Sequence, residues 1–183
     1  FSVGTYQVIY TCIDASGNKS TKTRTVEVVD TLNPVITLLG QQDMWHEINT
    51  PFEDPGSVAE DNSNLHVNII ASGSVDVTTL GTYYLYYNAT DAQNNEADQV
   101  VRTVTVRDTV SPVITMVGDN EVYHEVGSVY NDLGASASDN SNESLQVQVD
   151  NRVDANNVGV YEVQYTVKDS SGNEAQEQVR LLH

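Results

Sequence analysis

Cys12 is the only cysteine in the chain, so no internal disulfide can staple the fold and a packed core must hold it. Basic residues are scarce as well: 8 Lys and Arg stand against 26 Asp and Glu, a formal net charge of −18. That sign disfavours nucleic acid and anionic membrane surfaces as partners and makes divalent cations the natural counterions. No apolar run reaches the roughly 18–20 residues that a membrane-crossing helix needs, so direct membrane insertion is not expected. No signal-peptide pattern opens the chain; residue 1 falls inside a repeated motif, and the expectation is a segment of something longer. Hydrophobic residues make up 39% of the chain, enough for a core and too many for wholesale disorder.

What the chain does have is itself, repeated. Asp30-Thr-Leu-Asn-Pro34-Val-Ile-Thr returns as Asp108-Thr-Val-Ser-Pro112-Val-Ile-Thr, 78 residues on. His46-Glu47 returns as His124-Glu125, and Asp61-Asn62-Ser63-Asn64 as Asp139-Asn140-Ser141-Asn142. Val3-Gly4-Thr5-Tyr6 occurs three times, with Leu80-Gly81-Thr82-Tyr83 and Val158-Gly159-Val160-Tyr161. The register divides the chain into the back portion of one unit (1–30), a complete unit (31–108) and a nearly complete one (109–183).

The local pattern is strand. Tyr6, Val8, Tyr10 and Cys12 alternate with other residues, as do Tyr83, Leu85, Tyr87 and Ala89, and Tyr161, Val163, Tyr165 and Val167. Period-two alternation marks a half-buried strand, with these residues inward. A turn follows each: Ser16-Gly17-Asn18, Gln93-Asn94-Asn95, Ser171-Gly172-Asn173, where Gly and Asn tolerate positive φ. Second strands are predicted over 23–29, 100–107 and 176–182. Short strands are predicted at 35–39 and 113–117, begun by Pro as suits an edge, and at 44–48 and 122–126. Many short strands per unit, separated by turns, predict an all-β sandwich.

The string from Pro34-Val-Ile through Gly81-Thr-Tyr and Asp91 to Asn95 resembles the bacterial surface-protein Ig-like repeat, also found in a pesticidal crystal protein; the hyalin repeat shares its last part. The resemblance covers the whole chain. It implies tandem Ig-like β-sandwich repeats on an extracellular protein at a cell surface or in a secreted filament, without enzymatic activity. In one departure, Ser63-Asn64 and Ser141-Asn142 stand where that family often carries Asp-Gly-Asp, which puts a metal site in that loop in doubt.

Catalytic readings fail on repetition, because an active site is usually unique whereas the notable residues recur in every unit. His46 and His124 are the histidines that recur between units, each beside a single Glu, too few converging ligands for zinc, and are read as structural. Cys12 is read as a small buried thiol, the alternative being a disulfide to the absent front half of its own unit, as across an Ig sandwich. Acids are the better candidates. In a sandwich of this strand order, the linker acid, the loop acid and the turn acid gather at one pole. That makes Asp30, Asp54 and Asp91, and likewise Asp108, Asp132 and Asp169, candidate interdomain calcium ligands, since Ca2+ takes six to eight oxygens. The plainer alternative is that Asp91 and Asp169 cap their turns and that Asp54 and Asp132 order a loop. Asn18, Asn88 and Asn142 head glycosylation sequons, relevant to a eukaryotic source. Tyr84 and Tyr86 point outward where the other copies carry Gln7 and Ile9, or Glu162 and Gln164; the fold does not require tyrosine there, so the pair is a candidate contact surface.

These observations predict a structural or adhesive segment of a long repeat protein, forming a semi-rigid stalk or filament. Its partners would be neighbouring repeats, further copies of itself, or cell-surface glycans or proteins. The alternative is a carbohydrate- or protein-binding module acting through the tyrosine face.

Overall fold

The computed structural model describes residues 2–63 and 65–183; Asn64, part of the departure noted above, lies outside them. Every regular element in the described residues is a strand. β1 (Gly4–Ile13) and β2 (Lys19–Val28) form an antiparallel hairpin in which Gly4 faces Val28 and Ile13 faces Lys19. The middle repeat contributes β3 (Val35–Leu38), β4 (Asp43–Glu47), β5 (Ser57–Glu60), β6 (Asn68–Ser72), β7 (Gly81–Thr90) and β8 (Val100–Arg107). β3 pairs with β5, and the other four run in the order β4-β8-β7-β6. The last repeat copies this plan with β9 (Val113–Met116), β10 (Glu121–Val122), β11 (Ala135–Ser138), β12 (Gln148–Asn151), β13 (Tyr161–Thr166) and β14 (Gln178–Leu182). There β9 pairs with β11, and β10-β14-β13-β12 form the larger sheet, with β10 parallel to β14.

The alternation read from sequence decides which face is buried. On β7, Leu85, Tyr87 and Ala89 are buried while Tyr84 and Tyr86 are exposed. On β13 and just beyond it, Val163, Tyr165 and Val167 are buried, and Met116, Ala135 and Ala137 from β9 and β11 pack against them together with Ile114. That contact between a two-stranded and a four-stranded sheet is the core of a β-sandwich. The turn residues behave as their types require: Gly17, Asn94 and Gly172 have φ of 86°, 66° and 98°.

On β1 the corresponding face is uncovered in this chain. Tyr6, Val8, Tyr10 and Cys12 are all exposed. The second layer that β3–β5 and β9–β11 supply in the other repeats has no counterpart within residues 1–30. Cys12 is therefore not the buried thiol expected. The predicted strand at 122–126 is also shorter than read: only Glu121–Val122 pair there.

The chain divides into two compact units. One comprises Phe1–Met44, Glu53–Val75 and Tyr83–Val104; the other comprises Trp45–Phe52, Asp76–Thr82 and Thr105–His183. The two recurring histidines make matching local contacts. His46 Nε2 shares a hydrogen bond with Thr50 Oγ1 (3.0 Å) and its ring meets Phe52 edge-on; His124 does the same with Ser128 Oγ (2.9 Å) and Tyr130.

Candidate functional site

Each turn after β1, β7 and β13 is organised by one aspartate. Asp14 Oδ1 accepts the Ser16 and Asn18 amides, and Asp14 Oδ2 accepts Asn18 Nδ2 (2.7 Å). Asp91 binds the Gln93 and Asn95 amides and Asn95 Nδ2 in the same way, and Asp169 binds the Asn173 amide and Nδ2. These are the caps that the plainer alternative foresaw. The same asparagine reaches further: Asn95 Nδ2 also donates to the carbonyl of Asp30, and Asn173 Nδ2 to that of Asp108, both at 3.4 Å. The turn is thus tied to the connecting segment.

A loop acid completes each group. Asp61 Oδ2 accepts the Ser63 amide (2.8 Å) and hydroxyl (2.6 Å), and Asp139 Oδ2 accepts those of Ser141 (2.9 and 2.7 Å). Carboxylate oxygens of Asp30, Asp61 and Asp91 lie within 4.8 Å of one another, and so do those of Asp108, Asp139 and Asp169. The first triad lies in the first unit and the second triad in the second. The structure therefore brings together Asp30 with Asp91 and Asp108 with Asp169. It adds Asp61 and Asp139, whose signal was the recurring Asp-Asn-Ser at the same register.

Asp54 and Asp132 stand elsewhere. Arg102 and Arg180 are wholly buried, at 0% and 1% exposure, and each needs a counter-charge. Arg102 Nη1 pairs with Asp54, and Arg180 Nη1 with Asp132. Arg102 spends its remaining donors on Tyr87 Oη (3.1 Å) and the carbonyls of Gln41 (3.1 Å), Gly56 (3.1 Å) and Leu39. Arg180 likewise donates to the carbonyls of Asp119 and Val117. Tyr87 Oη donates to Asp54 Oδ2 (2.6 Å), and Tyr165 Oη to Asp132 Oδ2 (2.7 Å). Burial alone would raise both carboxyls; hydrogen bonds from the tyrosines, a glycine amide and the arginine outweigh it and hold both below the ordinary carboxylate value. Burial, and then the bond to Asp54, push the Tyr87 hydroxyl up to about 12. The Tyr165 hydroxyl moves in the same direction for the same reasons. Arg24 occupies the equivalent place on β2, with its guanidinium 5.7 Å from the Tyr10 ring centre, against 5.6 Å for Arg102 over Tyr87.

Glu47 was not foreseen either. Its carboxylate accepts the Thr109 amide (3.1 Å), the Thr109 hydroxyl (2.7 Å) and Asn140 Nδ2 (2.9 Å). Burial would raise it, and these donors lower it. Asp108 moves the other way. Burial first, and then the charges of Asp139, Asp169 and Glu47, push its carboxyl up against the pull of the Val110 amide.

Tyr84 and Tyr86 are 49% and 38% exposed on the outer face of β7, and Ile70 on the adjoining β6 is exposed with them. Of the sequon asparagines, Asn18 and Asn142 are exposed. Asn88 is half-buried and accepts a hydrogen bond from Gln99 Nε2 (3.1 Å).

Comparison with known proteins gives the following. The family model described as "Bacterial surface protein, Ig-like domain" matches residues 36–106 and 114–180. An uncharacterised 81.3 kDa protein of Acholeplasma phage L2 is 29% identical over 94% of this chain and 25% of its own length. Hyalin of Lytechinus variegatus is 32% identical over 96% of this chain and 36% of its own length. The serine-rich adhesin for platelets of Staphylococcus aureus strain MRSA252 is 26% identical over 65% of this chain and 10% of its own. The chain thus spans about a third or less of the curated relatives it matches.

Proposed function

Because the chain belongs to the family of bacterial surface protein Ig-like domains, we propose that it is a non-catalytic structural and adhesive segment of a longer extracellular protein, its tandem Ig-like units forming a semi-rigid stalk or filament. The observation that carries this reading is the connecting segment. Only residues 108–112 separate the end of β8 from the start of β9. That stretch is held by Glu47 through the Thr109 amide and hydroxyl, and by Asn173 through the Asp108 carbonyl. A short connector with its polar groups engaged has little of the freedom of a flexible linker. Similarity to a hyalin and a platelet adhesin supports a role in cohesion, with neighbouring repeats, further copies or surface proteins as partners.

Small-angle scattering tests the stalk directly. The double variant Glu47→Ala with Asn173→Ala removes both anchors and should broaden the distribution of interatomic distances. If the variant and the parent scatter alike, the connector does not set the stiffness.

A second reading rests on the tyrosine face. Tyr84, Tyr86 and Ile70 make an exposed apolar group on one sheet, a composition that suits a sugar ring or a protein partner. A glycan array with the parent chain and with the variant Tyr84→Glu, Tyr86→Gln distinguishes the readings: binding lost in the variant supports a lectin-like surface, and the absence of any binder returns the face to sheet packing.

A further inference from the structure

The second unit gathers negative charge without a visible counterweight. Asp108, Asp139 and Asp169 converge, and Glu47 adds a fourth charge felt by Asp108. The ion pairs among the described residues all lie elsewhere: Arg102 with Asp54, Arg152 with Asp150, Lys168 with Glu174 and Arg180 with Asp132.

Charge alone would not make a site. The second observation is a set of buried oxygens with no donor. Asp108 is 7% exposed and faces the other carboxylates; its Oδ1 accepts the Val110 amide, and its Oδ2 accepts nothing. Asp139 Oδ1 is in the same state, because the Ser141 turn uses only Oδ2. The next residue presents a neutral oxygen: Asn140 Nδ2 is spent on Glu47, and Asn140 Oδ1 is buried without a partner. The pattern recurs in the first unit, where Asp30 is 8% exposed and its Oδ2 is likewise unmatched. Buried polar atoms are nearly always satisfied, and a buried carboxylate oxygen without a donor is costly. A cation satisfies several of them at once.

We propose that Asp108, Asp139 and Asp169 form a Ca2+ site in the second unit, with Asn140 Oδ1 as a neutral oxygen beside it and Glu47 adding its field. The donor set is all oxygen, which favours hard cations over zinc or copper. Oxygens on opposite sides of a Ca2+ ion stand about 5 Å apart at most, since each bond is about 2.3–2.6 Å. The carboxylate oxygens of the triad lie within 4.8 Å of one another and so can share one such sphere, whereas Mg2+ demands a near-ideal octahedron and gives up its water reluctantly. Water completes the shell. The site does not depend on the stalk reading: a soluble, compact chain could carry it equally.

The test uses the 183-residue chain in calcium-free buffer, titrated with CaCl2 by calorimetry and melted in CaCl2, MgCl2 and NaCl at matched ionic strength. The expected result is saturable binding, with Kd on the order of 10⁻³ M or tighter as in extracellular calcium modules, and a larger rise in Tm with calcium than with either other salt. Asp139→Asn separates ligation from turn geometry. Asparagine keeps an oxygen for the Ser141 turn but replaces a like charge with a donor. Its calcium-free Tm should equal or exceed the parent's, while calcium affinity at this site should fall about ten-fold or more, the effect of removing one of three charged ligands. Asp61→Asn, the equivalent change in the first unit, should leave that affinity intact. Equal Tm shifts in all three salts would mean charge screening alone and would overturn the proposal. So would unchanged calcium affinity in Asp139→Asn, whatever its stability. Should that variant not fold, the comparison of salts on the parent chain decides the matter.

Discussion

Arg102 and Arg180 are the residues on which each sandwich turns. An arginine with no exposure must lose its hydration, and desolvation can exceed the ionic attraction unless every donor is used. Arg102 uses all five: Asp54, Tyr87 and three backbone carbonyls accept them. Gly56, at φ 79°, turns the backbone so that its carbonyl can meet the guanidinium. Replacing one partner therefore leaves the other charge buried and alone, so Arg180→Leu should cost about 3–5 kcal/mol of unfolding free energy, measured by urea denaturation. A loss below about 1 kcal/mol would show that Asp132 relaxes into water. Alkaline stability reports on the same network. The Tyr87 hydroxyl titrates at about 12 in the folded chain against 10 for a free tyrosine. Its contribution is complete below pH 10, because both states then hold the proton, and it is lost as pH rises from 10 to about 12. Stability measured against pH should fall across that interval, and Tyr87→Phe should flatten the fall; an identical slope in the variant would assign the loss to other groups. These residues were partly legible in the sequence. Arg102 shares the period-two face of Val104 and Val106, so alternation pointed it inward, but charge argues for an exposed position and masks the signal. Asp54 and Asp132 were placed with the calcium acids because nothing in a single sequence marks a distant arginine as their partner.

At the scale of the element, one strand design is used three times with different outer faces. β7 and β13 bury the same inward positions, while Tyr84 and Tyr86 on β7 are matched by Glu162 and Gln164 on β13. The last repeat forms its sandwich with the polar pair. The double change Tyr84→Glu, Tyr86→Gln should thus shift stability by less than about 1 kcal/mol, the usual range for exposed sites, as read by thermal unfolding. A drop of several kcal/mol would mean that the tyrosines hold the sheet together across strands. The same comparison explains what sequence could and could not reveal. The long strands β1, β2, β7, β8 and β13 carry enough alternating residues to be read directly. β5 and β11, with four residues each, and β6 with five, are too short to establish a period, and Ser, Ala and Asn dilute their pattern. On β1 the alternating face stays exposed, because alternation reports which side prefers burial and only a second layer supplies it. Of the acid clusters, the turn and linker members were legible from their recurrence. The loop members Asp61 and Asp139 recurred just as clearly, yet they were discounted because the surrounding loop departs from a known pattern.

At the scale of the whole molecule, the chain is a surface protein segment built from tandem Ig-like domains, and the stalk proposed above is a mechanical reading of such an array. A repeat architecture gains reach by adding units, each with its own core, and the connectors decide whether reach becomes a stiff stalk or a loose string. Here the connectors are short, and the one before β9 is hydrogen-bonded by Glu47 and Asn173. The direct test of the stalk is the radius of gyration of the 183-residue chain in solution. A single compact body of this length would have a value of about 16 Å. The account predicts a value clearly above that, with a skewed distance distribution extending to a long tail, as an extended array gives. A value near 16 Å with a symmetric distribution would contradict it, because the units would then be folded onto one another rather than set end to end.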